Sequence, residues 1–186
     1  MAKEEHSSTA ISLSEFEAGA DHAIFAAKLD IGGFSIGFPH CEQFADYVAQ
    51  FVTSNRQESD RLNSMLSMCL NEALEMAYRY HSDRGALWIE VRQSPPVAGK
   101  RARLSVITSI PVDESSMEAY VWCQEQIERP DAASSYSSLA EAGFDQVEDK
   151  TGLVELVLVH GVDLSIQVEP ETGRVLIVIS MDDDTK

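Results

Sequence analysis

Positive charge is scarce in this chain. Fourteen lysines and arginines stand against 31 aspartates and glutamates, a formal net charge of −17 over 186 residues. Such a surface repels phosphate backbones and anionic headgroups, which argues against nucleic acid and membrane surfaces as partners. Cysteine is scarce too: Cys41, Cys69 and Cys123 are an odd set without Cys-x-x-Cys spacing, and the five histidines form no pair at metal-ligand spacing. A disulfide framework and a structural zinc are therefore not expected, and no residue is assigned to a metal. No apolar run approaches the roughly 20 residues a membrane-spanning helix needs. The start, Met1-Ala2-Lys3-Glu4-Glu5-His6, lacks the basic and apolar regions of a signal peptide, so the expected location is the cytoplasm.

Hydrophobic residues make up 44% of the chain, a globular value and enough for one core at this length. The expected organisation is a flexible acidic lead-in over 1–20, one domain over 21–181 and an acidic tail over 182–186. Within the domain, residues 111–150 carry ten acidic and two basic side chains, which reads as an acidic lid-like insertion.

A long helix over 58–81 organises the rest. Leu62, Met65, Leu66, Cys69, Ala73, Met76, Ala77 and Tyr80 recur at three-and-four spacing, one helical face sustained for about six turns. Before it, Phe44, Val48 and Phe51 mark an amphipathic helix over 41–52. Two extended pieces, 22–29 and 33–38, are expected to pair through a turn at Ile31-Gly32-Gly33, with Pro39 ending the second. After the long helix, 86–93 and 101–110 alternate as the strands of a hairpin. Residues 117–127 suit a helix stopped near Pro130, and 132–138, small and polar, read as mobile. A short helix over 153–160, stopped by Gly161, precedes strands at 163–168 and 174–181 around a turn at 169–173. The implied fold class is α/β (α+β): a two-layer sandwich, with a mixed, mostly antiparallel sheet and helices on one face.

Phe38-Pro39 with the helix to Val52, the run Met68-Cys69-Leu70-Asn71-Glu72-Ala73-Leu74, and the ending from Gly152 through two strands follow one known order of elements. The chain resembles the GHKL fold of gyrase, the histidine kinases and MutL, and within it the anti-sigma-factor serine kinases and SiaB-like proteins of bacterial partner switching. The resemblance implies that Glu72 stands where the family's catalytic glutamate does. One turn along, Met76 takes the place of the magnesium-binding asparagine, and a thioether is a poor ligand for a hard cation. The Asp-x-Gly that would hold adenine is absent, leaving Thr108 and Ser109, while Asp113 lies beyond Pro111 and too late. Of the phosphate-binding glycine-rich turn only Gly152 remains.

The implied catalytic residue is Glu72, and the residues of the degenerate ATP cleft are Met76, Thr108, Ser109 and Gly152. No cofactor is expected, or Mg-ATP if the nucleotide site works. Three functions stay open: a degenerate, anti-sigma-factor-like module of bacterial signalling that binds a protein (an antagonist, a response-regulator effector or itself, as a homodimer); a divergent ATP-dependent serine/threonine kinase; or a small-molecule sensor with an apolar, Met-lined cleft. Arg92, Lys100, Arg101 and Arg103 form the main basic cluster, read as a solvated hairpin tip. Trp88 and Trp122 suit either interface anchors or core.

Overall fold

A computed structural model describes residues 23–34, 39–54, 56, 59–94, 102–142 and 151–183. The chain runs β1 (Ala23–Asp30), α1 (Ile31–Phe34), α2 (Pro39–Thr53), α3 (Ser59–Arg79), β2 (Ala86–Ser94), β3 (Ala102–Pro111), α4 (Glu114–Glu128), α5 (Ala132–Ala142), α6 (Gly152–Leu158), β4 (Asp163–Glu169) and β5 (Arg174–Asp183). The strands form one sheet in the order β1-β2-β3-β5-β4. Every pairing among the described strands is antiparallel, so the two-layer α/β sandwich has no parallel component there.

Alternation along the strands decides where the core sits. Leu87, Ile89 and Val91 on β2, Leu104, Val106 and Ile110 on β3, and Val175, Ile177, Ile179 and Met181 on β5 are buried against the helices. Each such aliphatic chain contributes about 1.5–3 kcal/mol of burial. Opposite them lies α3, whose Leu62, Leu66, Cys69, Leu70, Ala73, Leu74 and Ala77 are buried. That stripe is wider than the single face read from spacing, because α3 touches the sheet below, α2 on one side and α6 on the other. None of the described helices is long and apolar enough to cross a membrane. The three cysteines are free and buried; burial pushes the Cys41 thiol up to about 11 and the Cys69 thiol to about 12, which keeps both inert.

Two expectations are corrected. Residues 33 and 34 do not form a strand paired with β1. Ile31–Phe34 is one helical turn, tied down by the Gly33 amide on Asp30 Oδ1 at 3.1 Å and the Ile31 amide on the Gly85 carbonyl at 3.1 Å. Residues 35–38 lie outside the described residues, β1 pairs with β2 instead, and Pro39 opens α2, where its missing N–H removes no bond. The supposedly mobile stretch 132–138 belongs to α5. Asp131 holds its first turn: its carbonyl accepts from the Ser135 amide and Ser134 hydroxyl, and its carboxylate accepts from the Ser135 hydroxyl.

Within the acidic insertion expected over 111–150, α4 is tied into the core. Ala119, Tyr120 and Cys123 of α4 are core residues. The Tyr120 hydroxyl donates to the carbonyls of Met76 at 3.2 Å and Tyr80 at 2.9 Å, satisfying acceptors at the end of α3. Asp113 caps α4, accepting from the Ser116 amide at 2.7 Å. The proposed lead-in 1–20 and most of the tail 182–186 lie outside the described residues, though Asp182 and Asp183 extend β5. The turn at 169–173 closes through Gly173, whose φ of 62° favours glycine.

Candidate functional site

Glu72 leaves α3 on the side facing α6, and its carboxylate lies against Gly152. A β-carbon on Gly152 would stand 1.7 Å from Glu72 Oε2, so the carboxylate occupies the space a side chain would take. Glycine here permits that close approach rather than an unusual backbone conformation, and a larger residue would push the end of the Glu72 side chain aside. Burial, reinforced by the negative charges of Glu75 and Glu155, pushes the Glu72 carboxyl up to about 7, with Arg79 and Asn71 acting in the opposite direction. A half-buried carboxyl with like charges around it holds its proton into the neutral range. Close by, the Tyr136 hydroxyl donates to Glu155 Oε2 at 3.0 Å. Its phenol is pushed up to about 12 by burial, by that bond, and by the charges of Glu155 and Glu72. The resulting group is two carboxyls and a phenol from three helices, beside buried Thr151 at the start of α6.

The remaining expected residues are distributed differently. Met76, one turn beyond Glu72, is 2% exposed and packed in the main core. Thr108 and Ser109 point to opposite faces of the sheet. Thr108 shares the helix-facing row of Val106 and Ile110, where its buried hydroxyl has no hydrogen-bond partner. Ser109 shares the outer row of Ile107, with its hydroxyl accepting from Arg174 Nε at 2.9 Å. Adjacent strand residues cannot line one cleft. The structure thus brings Glu72 and Gly152 together, and separates Ser109 from both. Beside this group, a cavity bounded by Trp122, Gln126, Ala132, Tyr136, Thr151 and Val154 is about 10 Å³, room for one water at most.

A second concavity lies on the other side of α3. It is an open groove of about 720 Å³ between α2 and α3, lined by Cys41, Glu42, Asp46, Asn63, Ser64, Ser67, Met68, Asn71 and Glu75. Met68 lines this mostly polar groove, whereas Met76 lies in the core. Asn71 donates to Glu75 Oε1 at 2.9 Å, and Glu75 pairs with Arg79 at 3.5 Å. The basic cluster is likewise dispersed. Arg92 is bound bidentately to buried Glu90, and Arg103 reaches Asp163 and Asp182; Lys100 and Arg101 lie outside the described residues. Trp122 lines the small cavity, while Trp88 stands on the outer face of the sheet beneath Lys28 Nζ, 4.7 Å from its ring centroid.

Tyr136, Glu155 and Tyr120 were missed by sequence reasoning. The available signal was weak: Glu155 is the acidic residue in the first turn of a short helix, and Tyr136 is the one aromatic in a serine-rich stretch. Among the described residues, no group of three or more histidine, cysteine, aspartate or glutamate side chains could hold a metal ion.

These features define a class: an antiparallel two-layer α/β sandwich whose central helix presents a carboxylate to the start of a short helix near the chain's end. Among solved structures, the fold is similar to that of a chain in the crystal structure of the SiaB–SiaC complex from Pseudomonas aeruginosa. The TM-score is 0.50 at 11% sequence identity, over 92% of this chain and 98% of that one. At this identity the likeness is one of fold. No protein-family model matches the chain, and no curated protein matches its sequence.

Proposed function

We propose that this protein is a regulatory signalling module that works by binding another protein, on a kinase-like fold whose nucleotide site is degenerate. Met76 carries the reading. The position one turn from Glu72, where a magnesium ligand would be needed, holds a thioether packed in the core and 2% exposed. A hard cation requires oxygen ligands and retained water, and neither fits there. Thr108 and Ser109, on opposite sheet faces, cannot together receive a base. The similar fold comes from a solved complex of two proteins, which favours a protein as the partner, in the manner of partner switching.

Calorimetry with Mg-ATP tests this reading. No binding tighter than about 100 μM, near −5.5 kcal/mol, is expected, and tighter binding overturns it. A stoichiometric protein partner is expected in pull-downs from the native cell.

One observation favours a second reading, a divergent serine/threonine kinase. Glu72, with its carboxyl near 7 and set against Gly152, is tuned as a general base should be. On that reading, Glu72→Gln abolishes phosphoryl transfer while ATP affinity stays within about threefold. Transfer undiminished by the substitution removes it.

A further inference from the structure

Large apolar side chains standing singly on a surface are ordinary, whereas neighbouring ones on a fixed element mark a contact surface. Among the described residues, four large hydrophobic side chains are exposed. Val121 on α4 and Val159 just after α6 are single aliphatics. Tyr47 and Phe51, 64% and 54% exposed, lie one turn apart on α2 and so share one flank of that helix. Phe51 is held in place: its ring meets Phe25 of β1 edge-on at 6.3 Å, and Phe25 meets Phe44 in the same way at 6.0 Å. Aromatic side chains with few torsions and a fixed neighbour lose little entropy on contact, which suits them as anchors.

Successive residues turn about 100° around a helix axis, and the flank of α2 toward α3 is acidic. Glu42 and Asp46, one turn apart and exposed, line the open groove of about 720 Å³, with Glu75 across from them on α3. Asn63, Ser67 and Asn71 add hydrogen-bonding groups, and the described lining residues include no lysine or arginine. Asp46 accepts from the Ser67 hydroxyl, and Arg79, paired with Glu75, offsets one of the three charges. Between the two flanks the crest carries Gln43 and Gln50, exposed and uncharged.

We propose that α2 is the docking surface for an amphipathic helix of a protein partner, which lays apolar side chains on Tyr47 and Phe51 and reaches over the groove with lysine or arginine. The 15 residues of α2 give about 22 Å of contact length, or about four turns of a partner helix. At a helix separation of about 8–10 Å, a basic side chain rests its apolar stem on the crest and sets its charge among Glu42, Asp46 and Glu75. Charge selects this partner. A net charge of −17 disfavours an acidic segment, and equally a second copy of this chain set groove against groove. The inference rests on the signalling reading and names the chemistry of its partner. It places docking on the side of α3 away from Glu72.

The probe is a synthetic helical peptide of about 18 residues, leucine on one face and lysine on the other, with a control in which every lysine is glutamate. Each is titrated into the full chain and followed by amide NMR. The lysine peptide should shift α2 and the groove side of α3 saturably, and the glutamate peptide should shift neither. Tyr47→Ala should weaken binding about fivefold. Glu42→Lys with Asp46→Lys should weaken it about tenfold and flatten its salt dependence. These three residues are exposed, so both variants should keep the wild-type fold. Binding spread over other acidic surfaces, equal binding of the two peptides, or affinity unchanged in both variants overturns the proposal. So does an α2 signal that moves when the protein alone is diluted, which would assign the surface to a second copy. Pull-downs from the native cell separate this failure from failure of the signalling reading. A partner that both variants retain defeats the docking surface and leaves that reading standing, whereas a wild-type chain that recovers no partner defeats both.

Discussion

Glu72 and Glu75 lie one turn apart on α3 and end in opposite surroundings. Glu75 faces the open groove beside α2, where Asn71 and Arg79 bond it and water reaches it. Glu72 faces the closed side, against Gly152 and within the field of Glu155 and of Glu75 itself. Two identical side chains on one helix thus differ in chemistry because their neighbours differ. On the open side a carboxylate has solvation and a counter-charge; on the closed side it has neither in full. The closed side is also where packing is tightest, with Met76 in the core and Tyr120 clasping the end of α3. Substitutions on the two sides should therefore have very different effects.

The largest effect is expected from Met76→Asn, which would restore the residue type of the missing metal ligand. An amide there would be buried without partners and would leave part of the thioether's volume empty. A loss of about 2–4 kcal/mol is expected in urea unfolding, with no gain of Mg-ATP binding. A loss under about 1 kcal/mol would mean that the closed side opens readily.

Glu72→Gln should act in the other direction. The folded protein holds the Glu72 proton up to about 7, whereas an ordinary glutamate releases it at 4.5. Between these values the native state binds more protons than the unfolded state, so wild-type stability falls as pH rises through this window and levels off above it. Glutamine mimics the protonated form. The variant should match wild type below pH 4.5 and exceed it by about 1–3 kcal/mol above pH 7.5, allowing for partial solvent screening. Equal stability at pH 8 would show that Glu72 ionises without strain. A residue whose removal stabilises the fold is retained for some other reason, which makes the closed side the place to look for chemistry.

Tyr120→Phe removes the hydroxyl shared by the Met76 and Tyr80 carbonyls and keeps the ring. Met76's carbonyl retains the Tyr80 amide at 2.9 Å, so the expected loss is about 1–1.5 kcal/mol. No loss would leave ring burial as the sole tie between α4 and α3.

Much of this architecture could be read from the chain. Helical spacing revealed α2 and α3, and alternation revealed the β2–β3 hairpin and β5, because amphipathic periods report directly on which side is buried. Where tertiary bonds override local preference, the reading went astray. Gly32-Gly33 is a poor helix former, and α1 exists through Asp30 and Gly85. The serines of α5 favour turns until Asp131 caps them and Tyr136 reaches Glu155. The placement of Glu72 beside Gly152 followed from the resemblance, not from spacing. The pairing of Thr108 with Ser109 in one cleft contradicted the alternation already visible in their own strand. Burial of Glu90 with Arg92 had no sequence signal beyond two residues' separation.

The smallest effect separates the two causes of the Glu72 shift. Glu75→Gln removes a half-exposed partner of Arg79, and pairs of this kind are worth a few tenths of a kcal/mol. Stability should change by less than about 0.5 kcal/mol between pH 5 and 8. The Glu72 carboxyl should nevertheless respond, since the Glu75 charge contributes to its elevation after burial does. Carboxyl-resolved NMR titration should show Glu72 titrating lower in the variant than in wild type, yet still above an ordinary glutamate. If Glu72 returns fully to the ordinary range, repulsion from the open side sets its chemistry and burial against Gly152 does not. If it does not move, the two sides of α3 are electrically independent. The expected partial shift is the outcome in which the closed side holds the proton and the open side trims it.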